Sequence, residues 1–207
     1  MAPFIYGKAA LLTDLVAELD KNDQFPIEID EICATLVRLG VQDEICISDE
    51  EMNVGKLRGA FYQWLESNGV YAEPTQKTLI VYPTGIDEAS QRLICAKELV
   101  HLCDKQARRI RTPEQLDDLT EKLLGPFETG SSGIPETEIV AATDLLAQYQ
   151  AISLLFPPSA RSRVRKGLEE NIFDLERVVK AICLPEEIIV PMLEPDWEDL
   201  LKVSLQI

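Results

Sequence analysis

The stretch Gln91-Arg92-Leu93-Ile94-Cys95-Ala96-Lys97-Glu98-Leu99-Val100-His101-Leu102-Cys103-Asp104 decides how the rest of the chain is read. The apolar pattern is helical from Asp87 to about Lys105. On such a helix positions 97 and 101 lie one turn apart on the same face, and 98 adjoins 101. Metal-dependent hydrolysis uses this geometry with two histidines. Imidazoles at i and i+4 hold a zinc ion, and the glutamate between them activates the bound water. Here Glu98 and His101 stand at the right spacing, but Lys97 occupies the position of the first ligand. The chain contains a single histidine, so no other imidazole completes a two-histidine site.

Lys97 is a poor substitute as a ligand. Removing its proton at neutral pH costs about 4–5 kcal/mol before any bond to metal forms, and zinc prefers imidazole, thiolate and carboxylate. Cys95 and Cys103 are offset by two residues from Lys97 and His101, which turns them away from that face. The reading therefore expects no metal, with zinc bound only if a nonstandard site is competent.

The flanks of the segment add a resemblance. Arg92-Leu93-Ile94-Cys95-Ala96-Lys97-Glu98-Leu99-Val100-His101-Leu102 resembles the R-F-x-x-A-H-E-L-G-H-L signature of the ImmA/IrrE metallopeptidase family, gluzincin-like bacterial and phage proteins that cleave transcriptional repressors. Downstream, Asp144-Leu145-Leu146-Ala147-Gln148-Tyr149-Gln150-Ala151-Ile152-Ser153-Leu154-Leu155-Phe156-Pro157 resembles the family's E-x-E-A-N-x-F-A-x-x-L-L-M-P without a gap. The resemblance covers roughly residues 27–193, including a short helix-turn-helix-like pair over 174–193. It implies that Glu98 is a vestigial general base, that His101 and Asp144 are the remaining ligand positions, and that Lys97 replaces the lost one. The departures are Lys97 itself, Val100 for glycine, Leu93 and Gln150 at the large aromatic positions, and a long stretch between the two motifs. The expected arrangement substitutes charge for charge. The Lys97 ammonium lies where a metal would, bridging Asp144 and Glu98 or His101; the plain alternative has Lys97 snorkelling to solvent.

Working outward, the pattern at Leu11, Leu12, Leu15, Val16 and Leu19 predicts a helix over 5–19. A second is expected over Ile29–Leu39, stopped by Gly40. Ser48 with Glu51 reads as a capping box opening a third helix through Trp64 and Leu65, ended by Gly69. Residues 70–72 and Thr78–Tyr82 read as a small antiparallel hairpin around a turn at 73–77. A helix is expected from Thr112-Pro113, a loop over 125–135, and a helix over Glu136–Leu155. Three short helices follow, separated near Gly167, Pro185 and Pro195. The expected fold is α+β and mostly helical: a zincin-like domain whose small antiparallel sheet or hairpin packs on the helix bearing Glu98, with short C-terminal helices. The divisions are an N-terminal helix over 1–26, the zincin-like domain over 27–158 and a helical region over 159–207.

Composition bounds the function. A length of 207 residues with 46% hydrophobic residues supports a substantial core. A net charge of -16 repels phosphate backbones, which argues against direct nucleic-acid binding. Basic residues cluster at Lys105, Arg108, Arg109 and Arg111 and again at Arg161, Arg163, Arg165 and Lys166, as cationic helix ends or, in a sharper reading, as a patch for an acidic partner. No segment approaches a membrane span, no secretory leader is evident at Met1–Leu12, and the expected location is cytoplasmic. Five cysteines without paired spacing read as reduced, buried thiols. Trp64 and Trp197 read as core or interface anchors. The expectation is a catalytically impaired peptidase framework that binds a protein partner in repressor control or a mobile element. The alternatives are an active metal-dependent peptidase with a nonstandard site, and an acidic mimic that covers a basic surface.

Overall fold

The computed structural model describes residues 8–52, 59–67, 69, 73–103 and 136–199; the side chains of 8–9 and 136–145 lie outside that description. The expected helix from Thr112, the loop over 125–135, the basic cluster at 105–111 and the expected strand at 70–72 also lie outside it.

The fold is α+β, with a three-stranded mixed sheet against a layer of helices. Strand β1 (Glu44–Glu50) pairs in parallel with β3 (Thr75–Pro83), and β2 (Ala60–Glu66) pairs antiparallel with β3, giving the order β1-β3-β2. This corrects two expectations. The described parts of the expected helix from Ser48 to Leu65 are not helical: 48–50 end β1 and 60–65 lie in β2, while 53–58 lie outside the described residues, and the antiparallel hairpin is β2–β3 within a mixed sheet. Thr75, Gln76 and Lys77, read as turn, are paired strand residues opposite Glu66, Leu65 and Trp64. The physical reason lies in the two-residue period. Ile45 and Ile47 alternate with Glu44, Cys46 and Ser48, and the aromatic-rich Phe61-Tyr62-Gln63-Trp64 suits a pleated surface. Ser48 makes no helix cap; its hydroxyl donates to the Asp49 carbonyl.

One face of the sheet is internal. Ile45, Ile47, Phe61 and Ile80 join the core with Ala96, Leu99 and Val100 of helix α3 (Glu88–Val100). At the far end of the same face the fully buried Thr78 hydroxyl donates to the Asp43 carboxylate at 2.6 Å, and the Gln63 amide donates to the same carboxylate. Each buried polar group there has a partner, as burial demands.

Helices α1 (Lys8–Leu19) and α2 (Ile29–Arg38) follow the expected pattern and place Leu12, Leu15, Leu19, Ile32 and Leu36 in the core. Helix α4 (Glu136–Leu155) packs on α3, and its Ala147 and Ala151 are fully buried in the same core as Ala96. The C-terminal helices are α5 (Pro158–Glu169), α6 (Leu175–Ile182) and α7 (Glu186–Met192). The expected break near Gly167 falls just after it, between Glu169 and Leu175, and that near Pro185 between Ile182 and Glu186. Gly167 itself lies inside α5, where the Phe173 ring occupies the space a side chain would need. Val178, Ile182, Ile189, Met192 and Trp197 belong to the same core as α1 and α2, and Trp197 meets Tyr149 edge-on at 5.3 Å.

The second basic cluster follows the plainer of its two readings, a cationic connector beside helix ends, with Arg163 and Lys166 exposed and paired with Asp23 and Glu170. Arg161 is fully buried, donating to the Phe156 carbonyl at 2.7 Å and pairing with Glu198 at 3.3 Å, and Arg165 donates to the Leu193 carbonyl. These arginines tie helix ends together rather than form a docking patch. Cys46 is exposed, so not every thiol is buried as expected. Among the described residues no helix is long and apolar enough to cross a membrane.

Candidate functional site

Helix α3 positions the candidate site. Asp87 caps it, accepting a hydrogen bond from the Ser90 amide at 2.9 Å, and this bond with the Ser90 hydroxyl holds the Asp87 carboxyl below its usual range. The helix ends earlier than the sequence pattern indicates. Val100 is its last residue, and His101–Cys103 tighten into a 3-10 turn. His101 therefore sits at the cap, half-buried, with its ring centroid 6.3 Å from that of Phe61 on β2.

The Lys97 ammonium lies 3.1 Å from the Glu98 carboxylate, with the two side chains 14% and 5% exposed. Adjacent helical residues project about 100° apart. The pair closes because the long lysine stem bends back over its neighbour. The Lys97 head therefore meets a carboxylate rather than water alone. Gly59, the residue before β2, covers the carboxylate from above: a Cβ there would lie 2.9 Å from Glu98 Oε1 and would strike Ile94. The chain can pass over Glu98 at this height only as glycine. Neither Gly59 nor its role was visible in the sequence reading; an isolated glycine ahead of an aromatic-rich strand was the available signal.

Arg92, quoted in the sequence as part of a motif, is buried and structural here. Its guanidinium donates to the Ile27 carbonyl at 2.5 Å and pairs with Glu28 at 3.1 Å, fastening α3 to the segment before α2.

Asp144 lies within α4, one helical turn before Ala147, and its side chain is outside the described residues. The structure thus brings Lys97 and Glu98 together and places His101 one turn further along. Among the described residues no group of three or more His, Cys, Asp or Glu side chains is arranged to hold a metal ion. The donor chemistry at the first ligand position is decisive for fit. A protonated amine has no lone pair to give, and the Glu98 carboxylate that would orient a water is engaged by that amine. The residues present do not fit a zinc ion in the two-histidine manner.

Two thiols flank the region. Burial pushes the Cys95 thiol up to about 12, with Cys33 and Glu98 adding to the effect, and pushes Cys33 up to about 11, with Asp30 adding. Both are poor nucleophiles and poor metal ligands at neutral pH. No family model, no curated protein and no solved structure matches this chain.

Proposed function

We propose that the protein is a catalytically impaired, zincin-like relative of the ImmA/IrrE metallopeptidases that acts by binding a protein partner. The observation that supports this reading is the Lys97–Glu98 ion pair. It places a cation against the vestigial general base, within a helix whose flanks resemble a peptidase signature. Burial of Glu98 beneath Gly59, with Lys97 against its carboxylate, is consistent with a group that no longer faces a substrate. The resemblance points to a partner among repressors or other proteins of mobile elements, in the cytoplasm, with no direct contact to nucleic acid or membrane.

Metal quantification on untagged wild type and on Lys97→His tests the reading. Wild type is expected at background, and Lys97→His is expected to acquire zinc near one ion per chain, because it restores the second imidazole beside His101 and Asp144. Background metal in both proteins would mean that the alignment to the peptidase signature is wrong. Stoichiometric zinc in wild type, with peptide-bond hydrolysis, would establish the active peptidase with a nonstandard site instead.

A further inference from the structure

The sheet has a second face that the described helices do not cover. Residue parity puts three cross-strand rows on it: Glu44–Lys77–Trp64, Cys46–Leu79–Tyr62 and Ser48–Val81–Ala60. The rows have an apolar, aromatic centre. Tyr62 and Trp64 stack with ring centroids 5.4 Å apart and planes at 26°, and Tyr62 remains 36% exposed. The outer edges are acidic. Glu44 and Glu66 are 57% and 47% exposed, and Glu50, of the same parity, is exposed too. Lys77, on the central strand and only 17% exposed, is held between Glu44 at 2.5 Å and Glu66 at 3.3 Å, so its charge offsets one of the three carboxylates and the face keeps a net excess of acid. Of the other exposed large apolar residues, Leu65 lies on β2 but on the opposite face by parity, and Val37, Ile172 and Val190 lie on helices or at a bend.

We propose that this outer sheet face docks a cationic segment of a partner protein, one that presents arginine together with aliphatic side chains. Charge complementarity selects this occupant. An apolar centre inside a carboxylate rim matches a segment with the opposite rim, and electrostatics favours the encounter with a chain of net charge -16. A second copy would bring the same three carboxylates and the same excess of negative charge against them. Arginine suits the centre because its weakly hydrated, planar guanidinium stacks on aromatic rings while its donors reach carboxylates. The proposal rests on the sheet alone and is independent of the peptidase resemblance.

The test is titration of the full chain with a synthetic peptide of alternating arginine and leucine, followed by the indole resonances of Trp64 and Trp197 and by calorimetry. The expected result is a shift confined to Trp64 and a loss of affinity of about tenfold or more in Tyr62→Thr/Trp64→Thr. That variant removes no charge, so simple attraction to an acidic protein leaves its affinity unchanged. Val37→Thr serves as the apolar control and is expected to bind as wild type does. If the paired threonines unfold the protein, Glu50→Lys/Glu66→Lys, at exposed positions, is expected to weaken the same titration by a similar factor. The proposal is overturned if these variants bind as wild type, if a glutamate–leucine peptide binds equally well, or if sedimentation shows a wild-type dimer that the substitutions dissolve.

Discussion

At the scale of single residues, the Lys97–Glu98 pair is the most consequential contact. An ion pair this buried is a weak source of net stability, because desolvating two charges offsets much of their attraction; breaking it is costly, because one charge stays behind. Lys97→Met is therefore expected to destabilise the fold by about 3–5 kcal/mol. Lys97→Met/Glu98→Leu is expected to recover most of that loss, as read by urea unfolding of both variants. Equal destabilisation of the two would show that packing, not charge, matters here. Gly59→Ala is expected to lower stability for a steric reason, since its Cβ strikes Ile94 and Glu98. The thiols give a second residue-scale test. Cys46 is exposed, while Cys33 and Cys95 are raised to about 11 and about 12. Iodoacetamide at pH 8 is expected to label Cys46 first, and Cys46→Ser should remove the fast phase. The sign of the pH effect follows from the raised values. The unfolded thiols ionise near 9.0 and the folded ones later, so these groups lower stability as pH rises above 9.

At the scale of elements, two helix starts are set by side-chain caps. Asp87 opens α3 and Asp174 opens α6, each accepting from the amide three residues on, at 2.9 and 2.8 Å. Asp87→Ala is expected to cost about 1 kcal/mol and to lower Tm by about 2–4 °C in a chain of this size. The Asp87 carboxyl is held below its ordinary value of 3.8, so its contribution is present above that pH and is lost as the solution is acidified through the folded value. A thermal scan of Asp87→Ala against wild type should therefore show the gap narrowing as the pH falls below 3.8. The same capping logic misled the reading of residues 48–65. Ser48 followed by Glu51 has the form of a capping box, but the alternation at Ile45 and Ile47 and the aromatic run at 61–64 were the stronger signals. A cap pattern states where a helix can begin, and neighbouring strands decide whether one does.

At the scale of the whole molecule, two buried arginines join parts of the chain that are distant in sequence. Arg92 on α3 holds the Ile27 carbonyl and Glu28, and Arg161 on α5 holds the Phe156 carbonyl and Glu198. Arg161→Met is expected to destabilise globally by about 3–5 kcal/mol, because Glu198 and a buried carbonyl lose their donor. Arg161→Lys is expected to recover only part of this, since an ammonium cannot reproduce the planar fork. Circular dichroism melts of the two variants would check both statements, and a melt unchanged by Arg161→Met would remove the clamp from the account.

What the sequence determined by itself was local and periodic. Helices α1, α2 and α4, the strand at 78–82, the helix that carries Lys97 and Glu98, and the excess of acidic charge all follow from spacing and residue type. Tertiary structure alone decided the partners. It paired β3 with strands on both sides, in one parallel and one antiparallel register. It also laid Gly59 over Glu98, spent Arg161 and Arg165 on the Phe156 and Leu193 carbonyls and on Glu198, and turned Lys97 onto its neighbour. Such choices depend on which surfaces meet when the core closes, and a one-dimensional pattern carries the period of each surface but not its opposite number.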